Sequence, residues 1–122
     1  MPEGAAYWQF QLYDVWIKSL DFMHCQTDIN MDNAIIDKDG KFRAVISLTD
    51  PGIANWLDPV GRKEGIVVFR NYRAKVAPNP DTQLVKLADL HKYLPKETQK
   101  VTPEQRRKTL ERRRQGYLEV YG

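Results

Sequence analysis

The side chains best suited to chemistry gather in Asp50-Pro51-Gly52-Ile53-Ala54-Asn55-Trp56-Leu57-Asp58, a run of turn formers around an indole and an amide. Asn55 and Trp56 offer an aromatic wall beside a group that bonds a hydroxyl or a carboxylate, Asp58 adds a carboxylate and Arg70 a cation. These four, Asn55, Trp56, Asp58 and Arg70, are the candidate ligand-binding residues, fitted to a carbohydrate-like small molecule or a hydrolytic cleft. The competing reading is a loop lock, with Trp56 plugging one end of the fold and Asn55 satisfying turn backbone. It is the stronger reading, because a Trp among Pro and Gly ordinarily serves as an anchor. No nucleophile lies in the run and no second motif stands at catalytic spacing, so the catalytic residues are unknown.

Other reactive groups meet simpler explanations. His24, Gln26 and Asp28 share a face if they lie in a strand, but a metal site needs a third ligand and the other histidine, His91, sits in a different segment. A solvated strand face is expected, with no metal and no cofactor. Cys25 points away from His24 in the same strand, which disfavours a nucleophilic pair and suits a small buried hydrophobe. Asp14, Asp50 and Asp58 supply carboxylates for glycoside hydrolysis only if two of them face each other across ~5–9.5 Å; each is more economically a turn or strand-end residue. The cations from Arg106 to Arg114 are expected on a solvated helix face, without the aromatic platform or recognition helix of a nucleic-acid reader, so no nucleic acid is expected.

Tyr7–Asp14 alternates, with Trp8, Phe10 and Leu12 on one face and Gln9 and Gln11 on the other, as a half-buried strand does. His24–Ile29 reads as an edge or surface strand. Lys38-Asp39-Gly40-Lys41 between apolar runs predicts a hairpin over 34–48, with Phe42, Ala44, Ile46 and Leu48 facing the core. Ile66–Tyr72, β-branched and aromatic between turn residues, reads as a central strand. Gln83–Lys86 suggests a short strand, and Leu87, Leu90, His91 and Leu94 a short helix. Thr102, Pro103 and Gln105 form a helix start, predicting a helix from Pro103 to Tyr121 whose apolar stripe, Leu110, Tyr117, Leu118 and Tyr121, is narrow.

The 122 residues fit one domain, and three Trp, six Tyr and four Phe are enough for a core. No apolar run approaches a membrane span and the first residues lack signal-peptide character, so a soluble chain is expected, in a compartment left open. One cysteine excludes an internal disulfide. The charge is uneven: residues 96–122 hold eight Lys/Arg against four Glu, while 1–95 hold eleven against twelve Asp/Glu.

Several stretches, taken in order, resemble the family called domain of unknown function 1214: Tyr7-Trp8-Gln9-Phe10-Gln11-Leu12-Tyr13-Asp14, Asp39-Gly40, Asp50-Pro51-Gly52 with Asn55-Trp56-Leu57-Asp58, Phe69-Arg70-Asn71-Tyr72, and the basic tail from Val101. Asp58-Pro59 departs from the apolar-Pro pair of many relatives and marks a divergent subfamily. The resemblance implies the C-terminal part of larger proteins, often behind domain of unknown function 1254, and a jelly-roll-like fold with no established activity. The expected architecture is therefore mainly β, an antiparallel jelly-roll-like β-sandwich over 1–95, incomplete at its N-terminus, with a basic C-terminal α-helix in 96–122 packed on the same domain. Trp8, Phe10, Leu12, Ile36, Phe42, Ala44, Ile46, Trp56 and Val68 should border the core. Two functions stay open, a scaffold or docking module and an enzyme or small-ligand binder. Only six residues precede Tyr7, so Tyr7–Asp14 should expose an edge that a homo-oligomer or an N-terminal partner domain would cover.

Overall fold

Alternation places the first strand at the centre of the molecule. In a computed structural model, which describes residues 5–76 and 79–121, β1 (Tyr7–Tyr13) pairs antiparallel with β2 (Asp28–Asn30) on one side. Two short strands, β3 (Val45–Ile46) and β4 (Trp56–Leu57), pair parallel to each other. β5 (Ile66–Tyr72) covers the other side of β1 along its whole length, antiparallel from Tyr7 opposite Tyr72 to Tyr13 opposite Ile66. A 3-10 helix over Leu87–Lys92 and α1 (Pro103–Tyr121) complete a fold that is mainly β with one C-terminal α-helix.

The sheet order β2-β1-β5 corrects two expectations. Tyr7–Tyr13 is the central strand, paired on both sides, and Ile66–Tyr72 is the edge. The inner face carries the aromatic content: Phe10 stacks on Phe69 at 4.5 Å between centroids and on Phe42 at 5.3 Å, and Trp8 meets Phe42 edge-on at 5.2 Å. Leu12, Leu20, Ile29 and Leu57 form the buried cluster beneath. Such burial stabilises by roughly 1.5–3 kcal/mol per large aliphatic side chain.

The Asp-Gly turn forms, but the hairpin stops after one pair. Asp37 N–H donates to Lys41 O at 3.0 Å, Gly40 N–H donates to Asp37 O at 2.9 Å, and Gly40 takes the left-handed φ of 78° that the turn requires. Only Ile36 and Phe42 then bridge. The Asn55 side chain takes over where the ladder would continue: its Nδ2 donates to Ile35 O (2.7 Å) and Arg43 O (2.9 Å), and its Oδ1 accepts from Ile35 N–H (3.0 Å). The chain leaves the hairpin one residue out of phase, and a one-residue slip exchanges the faces. Val45 is buried, whereas Ile36, Ala44, Ile46 and Leu48, all expected to face the core, are exposed.

Gln83–Lys86 is not a strand, and the 3-10 helix buries none of its residues. α1 begins where its capping box predicts, with Thr102 N–H donating to Gln105 Oε1 (2.8 Å) and Gln105 N–H to Thr102 Oγ1 (3.2 Å). No helix among the described residues is long and apolar enough to cross a membrane.

Gly65, just ahead of β5, lies so close to β1 that a Cβ would sit 2.6 Å from Tyr13 O. Gly65→Ala is therefore expected to cost ~1–3 kcal/mol through displacement of the β1–β5 pairing. Gly116→Ala on α1, with nothing within 4 Å of the new Cβ, is expected to stabilise by ~0.5–1 kcal/mol. Urea midpoints of the two variants, moving in opposite directions from the parent, are the check.

Candidate functional site

The turn residues of the 50–58 loop hold one another before they face outward. Asp50 Oδ1 accepts from Gly52 N–H (2.8 Å) and Asp58 Oδ1 from Val60 N–H (2.8 Å), each shaping its own turn. Trp56 is buried in β4 and its Nε1–H donates to Ser47 O at 2.9 Å. Asn55, also buried, has both amide donors and its carbonyl engaged by backbone. Arg70 lies elsewhere: it stands opposite Gln9 on the sheet face away from the Phe10–Phe69 stack, with its guanidinium 5.6 Å from the Tyr13 ring centroid. The four candidate residues therefore do not converge, and none of them lines the groove at Leu12, Leu20 and Ile66 or the one between Asp14–Trp16 and Gly61–Glu64.

The loop's actual partner is the C-terminal helix. Arg106, expected on a solvated face, is only 5% exposed. Its Nε donates to Asp50 Oδ2 (2.9 Å) and its Nη2 to Asp50 Oδ1 (3.3 Å); Nη1 donates to Gln26 Oε1 (3.2 Å) and Ala54 O (3.3 Å), and Nη2 also reaches Ile53 O. Its guanidinium carbon lies 5.2 Å from the Trp56 ring centroid. Gln26 closes the network by donating to Ala54 O (3.0 Å) and Trp56 O (2.6 Å). Two turns along α1, Arg113 donates to Asp28 Oδ1 and Asp28 O, both at 2.8 Å, and to Phe22 O at 3.1 Å. Gln26 and Asp28 are thus committed to structure, while His24 stands apart, with Nδ1 3.1 Å from Asp21 Oδ1 near the surface. Among the described residues no three His, Cys, Asp or Glu side chains gather at metal-binding spacing.

Arg106 and Arg113 escaped sequence reasoning although a signal was present. With Leu110 and Tyr117 they stand at positions i, i+4, i+7 and i+11, which is the helix's apolar stripe itself. Arginine on such a stripe, where apolar residues are sparse, marks a buried ion pair as readily as a solvated cation.

Burial, followed by the charges of Asp58 and Asp21, pushes the Cys25 thiol up, away from the thiolate a nucleophile needs. Asp14, Asp50 and Asp58 each bond their own turn, and Asp14 Oδ1 accepts from Trp16 N–H (2.8 Å) and Lys18 N–H (2.9 Å). Asp39, in the hairpin turn, is lowered to about 2 by hydrogen bonds from the Arg43 guanidinium and the Lys41 N–H.

Two of the grooves among the described residues have defined linings. One, of about 360 Å³, is lined by Leu12, Leu20, Ile46, Leu48, Ile66 and Val67 with Arg62, Lys63 and Glu64 at its rim. The other, more open, lies between Asp14–Trp16 and Gly61–Glu64.

No protein-family model and no curated protein matches the chain. Among solved structures it is similar to an uncharacterized protein from Burkholderia cenocepacia, with 35% sequence identity and a TM-score of 0.69 over 72% of this chain and 24% of that one. The chain thus spans about a quarter of that structure's length.

Arg106→Met is expected to destabilise the chain by ~3–5 kcal/mol, because Asp50 and two backbone carbonyls lose a buried cation. Lys108→Met, at a side chain 66% exposed, should shift stability by less than ~0.5 kcal/mol. Chemical denaturation of both variants measures the difference, and equal shifts would show that the buried network contributes little. A second measurement concerns pH. The folded-state value of Asp39 lies below its ordinary 3.8, so its stabilising pairing with Arg43 is complete above that value and is lost as pH falls through about 2. Carboxyl-carbon NMR titration should show this depression, and Arg43→Ala should return Asp39 towards the ordinary value.

Proposed function

We propose that the chain is a non-catalytic docking or scaffold module of a larger protein or oligomer. In this reading residues 1–95 are a jelly-roll-like β-sandwich of the domain of unknown function 1214 family, and 96–122 are a helical extension packed on it. The observation that carries the proposal is the commitment of the loop's polar groups to the fold: the Trp56 N–H bonds to Ser47 O and every functional group of the Asn55 side chain bonds to backbone. Such a loop has nothing preorganised to offer a substrate. The likeness to about a quarter of a longer structure is consistent with a part that works in the company of other segments. An N-terminal partner domain or a second copy are the partners this reading anticipates.

The rival reading places a carbohydrate-like ligand or hydrolytic cleft at Asn55, Trp56, Asp58 and Arg70. The test is a titration with neutral and acidic oligosaccharides followed by tryptophan fluorescence, alongside nitrophenyl glycosides followed by nitrophenolate release. The proposal expects no saturable fluorescence change and no release above the protein-free rate. A saturable change that disappears in a folded Trp56→Phe variant would overturn it.

A further inference from the structure

While the loop's polar groups are internally bonded, only half of the backbone groups of β5 are, those turned to β1. Leu12 N–H donates to Thr27 O and Met31 N–H to Trp8 O, so the even-numbered residues of β1 direct their backbone groups towards β2. The odd-numbered ones therefore face β5, where they meet Ile66, Val68, Arg70 and Tyr72. Alternation then turns the N–H and C=O of Val67, Phe69 and Asn71 to the free edge, and among the described residues no backbone hydrogen bond reaches them. Three donors and three acceptors in a row form a template for another strand.

The edge adjoins apolar surface. Val67 is 46% exposed, Ile46 51% and Leu48 52%, and together with Leu12, Leu20 and Ile66 they line the 360 Å³ groove. A strand added beside β5 would carry the side chains opposite Val67 and Phe69 onto the inner face, where the groove opens. Its alternate side chains would lie on the outer face, level with Arg70.

Charge selects among occupants. Residues 60–76 hold Arg62, Lys63, Arg70, Arg73 and Lys75 against Glu64. A second copy paired edge to edge would set this cationic segment against itself, whereas acidic side chains would complement it. We propose that the free edge of β5 and the adjoining groove form a docking site for an extended segment of another polypeptide, in which apolar residues alternate with acidic ones. The site rests on the docking role proposed above and supplies its location and chemistry.

The test uses the 122-residue chain, ¹⁵N-labelled, with an acetylated and amidated octapeptide of alternating Val and Glu, compared with its Val/Lys counterpart. The Val/Glu peptide should shift and protect the amides of Val67, Phe69 and Asn71 and bind at least tenfold more tightly than the Val/Lys peptide. Arg70→Glu should reverse that preference. Val67→Pro and, separately, Asn71→Pro remove an N–H that has no partner in the free chain, so each should leave the dispersed spectrum intact and weaken binding at least tenfold. Equal affinity for both peptides, or binding indifferent to both prolines, would overturn the proposal. So would protection of the three amides without peptide, accompanied by a dimer mass in light scattering, which would identify a second copy as the occupant. Silence of both peptides, with the oligosaccharide titration also silent, removes the β5 assignment and leaves the docking role standing. Saturable sugar binding at Trp56 removes the docking role itself.

Discussion

The buried guanidinium of Arg106 is the constraint on which most of the remaining architecture turns. Removing such a group from water is costly, and only a nearly complete set of partners offsets it. Here the set is drawn from widely separated parts of the sequence: Asp50, Ile53 and Ala54 from the loop, Gln26 from the segment ahead of β2, and the face of Trp56. A lysine would offer one compact charge, whereas the planar fork of arginine bonds the carboxylate and the carbonyls at once. Arg113 repeats the device two turns later on Asp28. A helix with few apolar side chains is thus seated by directional bonds, which fix its rotation and axial position more narrowly than a greasy stripe would.

The same network accounts for the internal bonding of the most conspicuous loop in the sequence. Asn55 substitutes for a strand partner, satisfying Ile35 and Arg43 where a hairpin ladder would otherwise run. Trp56 lies between Ser47 O, bonded through its indole N–H, and the Arg106 guanidinium near its ring. An amide and an indole beside turn residues look alike in sequence whether they await a ligand or a backbone carbonyl. What separates the two cases is the position of Ile35, Arg43 and Ser47 in space, which depends on pairing between distant segments.

Local signals were legible and long-range ones were not. The period-two alternation of Tyr7–Tyr13, the positive φ required at Gly40 and the reciprocal cap of Thr102 and Gln105 each act within a few residues, and each appears where the sequence places it. The hairpin's extent, the burial of Arg106 and the edge position of β5 depend on contacts across the chain. Ile66-Val67-Val68-Phe69 has apolar residues on both faces, the composition of a strand covered on both sides. Composition reports what a strand can bury. It does not report which neighbours this chain supplies.

That mismatch is the most instructive property of β5. An exposed, β-branched edge invites pairing with any passing strand, and natural sheets blunt such edges with charge. Under the docking proposal, Arg70 within the strand, and Arg62, Lys63, Arg73 and Lys75 around it, would disfavour edge-to-edge pairing with another copy of the same chain, whose edge is equally cationic. Protection by one sign of charge is selective: it repels like edges and remains permissive towards opposite ones. A strand that needed only to be shielded could have been given polar side chains on its exposed inner face, yet Val67 keeps an apolar side chain there, open to the groove shared with Ile46 and Leu48. Retained apolar surface together with like-sign charge therefore favours a strand guarded against self-pairing over one closed to all pairing.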